Sequence, residues 1–258
     1  MEKEQISKYF ERINLAFDPT HALPDEELLC KLQHAHVTHV PYENLDIING
    51  VPLKLDEASL YNKIVLNSRG GYCFELNALY NILLKALGYN TLSCFARYLR
   101  GEAKIPMRRH RIIIAESDYT QARLFTDVGI GERAPRLPLR LEEDTVQEQF
   151  GEQYKFKKEP FLGWVLYDYH NGEWSKFLSF TEEPQLEEDY LSTSFYCEAS
   201  PESIFRKSAM LSLKTDTGRI TVSGDIFRIF DGDNVTQTTI QNKDAFDEIL
   251  KKYYNITL

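Results

Sequence analysis

The sequence predicts an α+β protein in three successive parts, and three successive patterns along the chain predict it. Residues 1–88 carry apolar side chains at helical spacing, residues 89–182 alternate with a period of two in short stretches, and residues 183–258 mix the two. With 258 residues, 43% hydrophobic and 27% charged, the chain has an ordinary globular composition and can bury a sizeable core. No internal repeat or low-complexity linker separates the parts, so they are expected to pack as one unit.

In the first part, Ile6, Phe10, Ile13 and Leu15 stand near helical spacing. Pro24-Asp25-Glu26-Glu27 then opens a second helix with acids in its first turn, and Leu28, Leu32 and Ala35 mark its apolar stripe. A third segment follows Asp56. A fourth starts near Cys73, with Leu76, Leu79, Tyr80, Leu83, Leu84 and Leu87 as its core face and Gly88 as its stop. In the second part Thr91 to Tyr98, Arg111 to Ala115, Arg123 to Asp127, Tyr154 to Phe156, Trp164 to Tyr169 and Trp174 to Phe180 read as strands divided by Gly, Pro and charged turns. Strands this short and evenly spaced point to a small antiparallel barrel or curled sheet. The third part begins with a helix or turn region to Phe205. Strands follow at Met210 to Lys214, Arg219 to Ser223, Asp225 to Phe230 and Thr236 to Ile240, then a closing helix from Lys243.

Composition excludes several classes of function. A net charge of −9 disfavours nucleic acid as a partner, because phosphate binding relies on clustered Lys and Arg. No apolar stretch approaches the roughly 20 residues that cross a bilayer, and Met1-Glu2-Lys3-Glu4-Gln5 lacks the pattern of a secretory signal. The 4 cysteines are scattered without a pairing pattern, which fits reduced thiols and a cytoplasmic location. Cys30, His34, His36 and His39 are read as ordinary helix residues, since a helix turns only Cys30 and His34 to one face, and no metal is expected.

The most informative stretch is Arg69-Gly70-Gly71-Tyr72-Cys73-Phe74-Glu75-Leu76-Asn77, which sets a cysteine at the start of a helix. Helix-start N–H groups favour negative charge, so such a thiol is expected to have a lowered pKa. His110 and then Asp127 follow it, giving in order a nucleophile, a general base and an orienting carboxylate. The histidine lies much nearer the cysteine than in papain-type proteases, which argues for another branch of thiol chemistry. Asp127 stands in an otherwise apolar strand, where a buried carboxylate needs a partner and an imidazole supplies one. Cys94 reads as a small packing residue, and Glu75 and Asn77 as structural residues holding Arg69 and its loop.

Between Arg97 and Arg111 the chain is basic, with Arg100, Lys104, Arg108 and Arg109 against the single acid Glu102. The stretch is either a solvated strand and loop or an electropositive patch beside His110, suited to phosphates.

These residues carry a resemblance. The stretch at 69–77, together with Tyr9-Phe10-Glu11-Arg12-Ile13, Pro41-Tyr42-Glu43-Asn44-Leu45, Asp127-Val128-Gly129-Ile130-Gly131 and Pro138-Leu139-Arg140-Leu141, is similar to the arylamine N-acetyltransferases. Ser200-Pro201-Glu202-Ser203-Ile204-Phe205 matches more loosely, so the likeness spans most of the chain. It implies a helical bundle (1–88), a central β-barrel (89–182) and an α/β lid (183–258), with a core like that of cysteine proteases and transglutaminases. It also implies a Cys73-His110-Asp127 triad that carries an acetyl group from acetyl-CoA to an arylamine or hydrazine. By family position Tyr42, Tyr98 and Ile130 are candidates for the acceptor pocket, with plain core packing as the competing account. Gly131, with Lys104 and Arg108 on grounds of charge and nearness to His110, is a candidate for contact with CoA. The chain departs from the family in the charged run Met107-Arg108-Arg109-His110-Arg111 and in Ile130, where a phenylalanine is common. Cysteine, histidine and aspartate in this order would also serve a thiol hydrolase or a transglutaminase-like amide-forming enzyme, and a non-catalytic ligand-binding relative would keep the same architecture.

Overall fold

The structure, a computed structural model, describes residues 1–16, 18 and 23–257. The first third holds α1 (Lys3–Arg12), α2 (Glu26–His39), the two-residue strand β1 (Tyr42–Glu43), α3 (Leu45–Ile48), α4 (Glu57–Tyr61), which runs into a π-helical turn at Asn62–Leu66, and α5 (Cys73–Ala86). Side-chain caps set two of the starts: Asp25 accepts from the Leu28 N–H at 2.7 Å and Asp56 from the Ser59 N–H at 3.0 Å. Almost all of α5 is buried, which suits its role as the central helix of this part. Its core face packs with Phe10, Ile13, Leu29 and Leu32 of the neighbouring helices and with Ile113 and Leu124 from the sheet beneath.

Eight strands follow, β2 (Asn90–Tyr98), β3 (His110–Glu116), β4 (Leu124–Thr126), β5 (Leu139–Arg140), β6 (Gln147–Gln149), β7 (Glu152–Glu159), β8 (Gly163–His170) and β9 (Glu173–Phe180). They form one antiparallel sheet in the order β5-β4-β3-β2-β9-β8-β7-β6. Its two end strands are joined by glutamine side chains in place of a backbone ladder. Gln147 exchanges hydrogen bonds with the backbone of Arg140 at 2.7 and 2.8 Å, and Gln149 does the same with Leu137 at 2.6 and 3.0 Å. The sheet is thereby a nearly closed barrel, filled by Phe125, Phe156, Phe177, Phe180 and Cys94.

The last third holds α6 (Asp189–Ala199), a 3-10 turn at Ile204–Arg206, β10 (Met210–Lys214), β11 (Gly218–Ser223), β12 (Ile226–Asp231), β13 (Asn234–Thr239) and α7 (Lys243–Tyr254). Its sheet has five strands in the order β1-β10-β11-β12-β13. The reading of residues 1–88 as helical misses β1, because two residues are too few to show a period, and this strand ties the first part to the last through Tyr42↔Ser212 and Glu43↔Leu211. Alternation divides the sheet's faces: Leu211, Val222 and Phe227 pack with Leu250 and Tyr254 of α7, while Ser212, Thr221 and Arg228 point the other way.

Candidate active site

The loop before Cys73 is fixed by a partly buried ion cluster. Arg69 reaches Glu43 at 2.7 Å and Asp46 at 2.9 Å, while Lys63 reaches Asp46 and Glu75 at 2.7 Å each. Glu75 also accepts from the Tyr72 N–H at 3.2 Å, closing the first turn of α5. Glu75 therefore pairs with Lys63, and the partners of Arg69 lie on the earlier segment 43–46. Gly70 passes so close to Pro41 that a Cβ would stand 1.9 Å from its carbonyl oxygen, so only glycine fits there. Arg12 donates to the carbonyls of His39, Ile64, Ser68 and Arg69, knitting α1 to the same loop.

Cys73 is the first residue of α5 and only 2% exposed. Its thiol donates to the Arg109 carbonyl at 3.8 Å. Burial pushes the thiol well above its ordinary pKa, Cys197 and Asp127 add to that, and the backbone N–H groups of Arg111 and Phe74 pull the other way. Here the structure reverses the direction expected from a helix start, because loss of water around the sulfur outweighs a few N–H dipoles. A thiolate at this position needs a cation in contact with it.

His110 begins β3 and Asp127 follows directly on β4, so adjacent strands carry the two side chains. The His110 Nε2 stands 2.6 Å from Asp127 Oδ2, both side chains being buried. That leaves Nδ1 as the ring nitrogen open to another partner. The other carboxylate oxygen of Asp127 accepts from Asn77 Nδ2 and from the Gly129 N–H, both at 2.8 Å. Asn77 is wholly buried, also donates to the Arg111 carbonyl at 2.7 Å and accepts from the Val128 N–H at 3.0 Å. It thus ties the second turn of α5 to both barrel segments that bear His110 and Asp127. Gly129 presses on this centre, since a Cβ there would meet Cys73 Cα at 2.7 Å and Asn77 Nδ2 at 2.8 Å.

Cys73 and His110 open into one cavity of about 330 Å³ between the barrel, α5 and the last sheet. Tyr42, Tyr98 and Ile130 line it, as does Arg109, which is held by Glu102 at 2.6 Å. Gly131 does not line it and instead packs against the Tyr42 ring. Lys104 is exposed on the loop outside, and Arg108 turns to Glu183 and Thr181, both at 3.1 Å. The basic stretch is neither a solvated face nor one patch. Arg97 binds the Pro106 carbonyl and Arg100 binds Asp168. Arg111 is fully buried, clamped by Glu187 at 2.6 and 2.7 Å, bonded to Ser93 at 2.9 Å and stacked on Tyr190. The sequence reading missed the wall supplied by the last sheet, notably Ser212, Thr221 and Arg228. Only their outward alternation against Leu211, Val222 and Phe227 hints at it.

Among the described residues no group of three or more His, Cys, Asp and Glu side chains is placed to hold a metal ion, and no helix is long and apolar enough to cross a membrane.

A buried cysteine at a helix start shares one cavity with a histidine held by an aspartate, a set of residue types suited to thiol chemistry. The N-acetyltransferase family model matches residues 25–258. An arylamine N-acetyltransferase from Mycobacterium tuberculosis is 33% identical over 225 residues, 85% of this chain and 77% of the relative. Among solved structures, the arylamine N-acetyltransferase from Salmonella typhimurium superposes with a TM-score of 0.91 at 27% identity, covering 98% of this chain and 91% of that one. The Mycobacterium marinum arylamine N-acetyltransferase in complex with CoA gives 0.90 at 28% identity, covering 97% and 92%. The chain belongs to the arylamine N-acetyltransferase family.

Proposed function

We propose that the protein transfers an acetyl group from acetyl-CoA to an arylamine or arylhydrazine by a ping-pong reaction through acetyl-Cys73. The observation that carries this reading is the 2.6 Å contact by which buried Asp127 holds His110, which lines the cavity into which Cys73 opens. A CoA-bound relative and the arylamine names of the family support donor and acceptor class.

The Cys73 proton moves to His110 Nδ1, and the resulting imidazolium supplies the cation that a buried thiolate requires. Asp127, holding Nε2, fixes the ring's orientation and stabilises its positive charge. Asn77 and the Gly129 N–H in turn hold the carboxylate. The thiolate attacks the thioester carbonyl, and the oxyanion is received by the backbone N–H of Cys73 at the start of α5. CoA leaves with the proton from His110. The amine then attacks acetyl-Cys73, His110 takes the amine's proton, and collapse of the intermediate releases the amide and restores the thiolate. An arylamine is mostly neutral near pH 7, so its lone pair is available.

The kinetic test is a rapid-mixing measurement of CoA release with no acceptor present. One equivalent of CoA per protein should appear in a burst, steady-state plots with both substrates should give parallel lines, and Cys73→Ala should remove the burst. Release of CoA only when an amine is present, with intersecting lines, would refute the reading.

A further inference from the structure

The far wall of the cavity contains a row of polar side chains that the triad does not use. Residues paired across strands share a face, and the register runs Tyr42↔Ser212, Ser212↔Thr221, Thr221↔Arg228 and Arg228↔Gln237. From Tyr42 to Arg228 is three inter-strand steps, ~14 Å of backbone separation. Tyr42 stands at the Cys73 end, and Ser212, Thr221 and Arg228 all line the cavity.

Two features show that this row is unsatisfied by the protein itself. The Ser212 hydroxyl is buried and has no hydrogen-bond partner among the described residues. Arg228, half-buried, donates from Nε to the neutral amide of Gln237 at 2.8 Å and has no carboxylate partner among them. The other charged groups on the cavity wall are compensated: Arg109 by Glu102 at 2.6 Å and Glu132 by Arg219 at 2.9 Å. Among the described residues Arg228 is therefore the cation of the cavity wall without a carboxylate partner, three strands along the register from Tyr42. With no partner on either terminal nitrogen among the described residues, the guanidinium matches the two oxygens of a carboxylate or a phosphate.

We propose that Arg228 forms an anion subsite, which takes an acidic group on one of the two substrates at the opposite end of the polar row from the reacting carbon. This rests on the acetyl-transfer reading above. The acidic group is either the diphosphate of the acyl-CoA donor or a carboxylate on the arylamine, and the chemistry of recognition is the same for both. The contact lies away from the reacting atoms, so it acts on KM and leaves kcat nearly unchanged.

The test compares wild type, Arg228→Gln and Arg228→Lys in two arms at low salt. The first pairs acetyl-CoA, and then a nucleotide-free aryl acetate donor, with an uncharged arylamine. The second pairs the aryl acetate with a carboxylated arylamine and with its uncharged analogue. The subsite is upheld if Arg228→Gln raises KM about fivefold to tenfold for acetyl-CoA alone or for the carboxylated amine alone, with added salt shrinking the difference and Arg228→Lys recovering most of it. The arm that responds identifies the source of the anion. Unchanged KM in both arms, with an unaltered melting temperature, would overturn it. If the wild type forms no acetyl-Cys73 from either donor, the acetyl-transfer reading fails, and the subsite with it; acetyl-Cys73 with no charge selectivity overturns the subsite alone.

Discussion

Replacing His110 by glutamine removes the proposed proton partner of Cys73 while keeping a side chain of similar size. The remaining surroundings of the sulfur then act alone. Burial, with Cys197 and Asp127, pushes the thiol well above 9.0. The sign follows directly: burial disfavours the anion, so the thiolate population of the variant moves to higher pH. A thiol at the ordinary value of 9.0 is about 1% ionised at pH 7, and raising it lowers that fraction further. In the proposed pair the wild-type Cys73 proton passes to His110, and the thiolate is then expected to survive to lower pH. Alkylation by iodoacetamide follows the thiolate, and the wild type should react about 100-fold faster than His110→Gln at pH 7. The assay is the rate of mass gain by intact protein from about pH 5 to about pH 10. Background labelling is small, because burial first of all raises Cys30 to about 11 and Cys94 and Cys197 to about 12. Superimposable profiles, both rising only above pH 9, would show that no ion pair exists in the resting protein and would refute the argument.

Other predictions follow from the groups around this pair. Asn77→Leu removes the donor to Asp127 and strands the Arg111 carbonyl and the Val128 N–H, so chemical denaturation should show a loss of about 3 to 5 kcal/mol, together with a fall in kcat. Complete burial lowers His36 to about 3, with Tyr9 at 2.8 Å on its Nδ1. The unfolded chain, with histidine near 6.5, therefore binds a proton that the fold refuses, and stability falls as pH drops from about 6.5 towards about 3. In His36→Gln the slope of stability against pH across this window should be smaller by about 1.4 kcal/mol per unit, and an unchanged slope would contradict the assignment.

Much of the fold is legible in the sequence because it depends on period. The stripe from Leu76 to Leu87 marks α5, and the alternating stretches of residues 89–182 mark most of the barrel strands. What escapes the sequence lacks a period. The barrel closes through Gln147 and Gln149 reaching backbone groups, and strands as short as β1, β5 and β6 leave no pattern to read. The order Cys73, His110, Asp127 marks the candidate site, and the structure brings these residues together at one end of α5. The role of Asn77 is hidden, since a polar residue on a helix gives no sign that two barrel segments converge on it. The basic stretch misleads for a related reason: charge along the chain does not reveal that Glu102, Asp168, Glu183 and Glu187 fold back onto its arginines. Arg228 is distant in sequence from the triad and enters the cavity only because β1 draws the last sheet against it.

The proposed covalent acetyl-cysteine can be sought by mass spectrometry of the intact protein mixed with acetyl-CoA alone. The protein should gain a single acetyl group, mapped by proteolysis to Cys73, absent in Cys73→Ala and discharged on addition of an arylamine with formation of its amide. No adduct, or an adduct that persists in Cys73→Ala on Cys94 or Cys197, would contradict it.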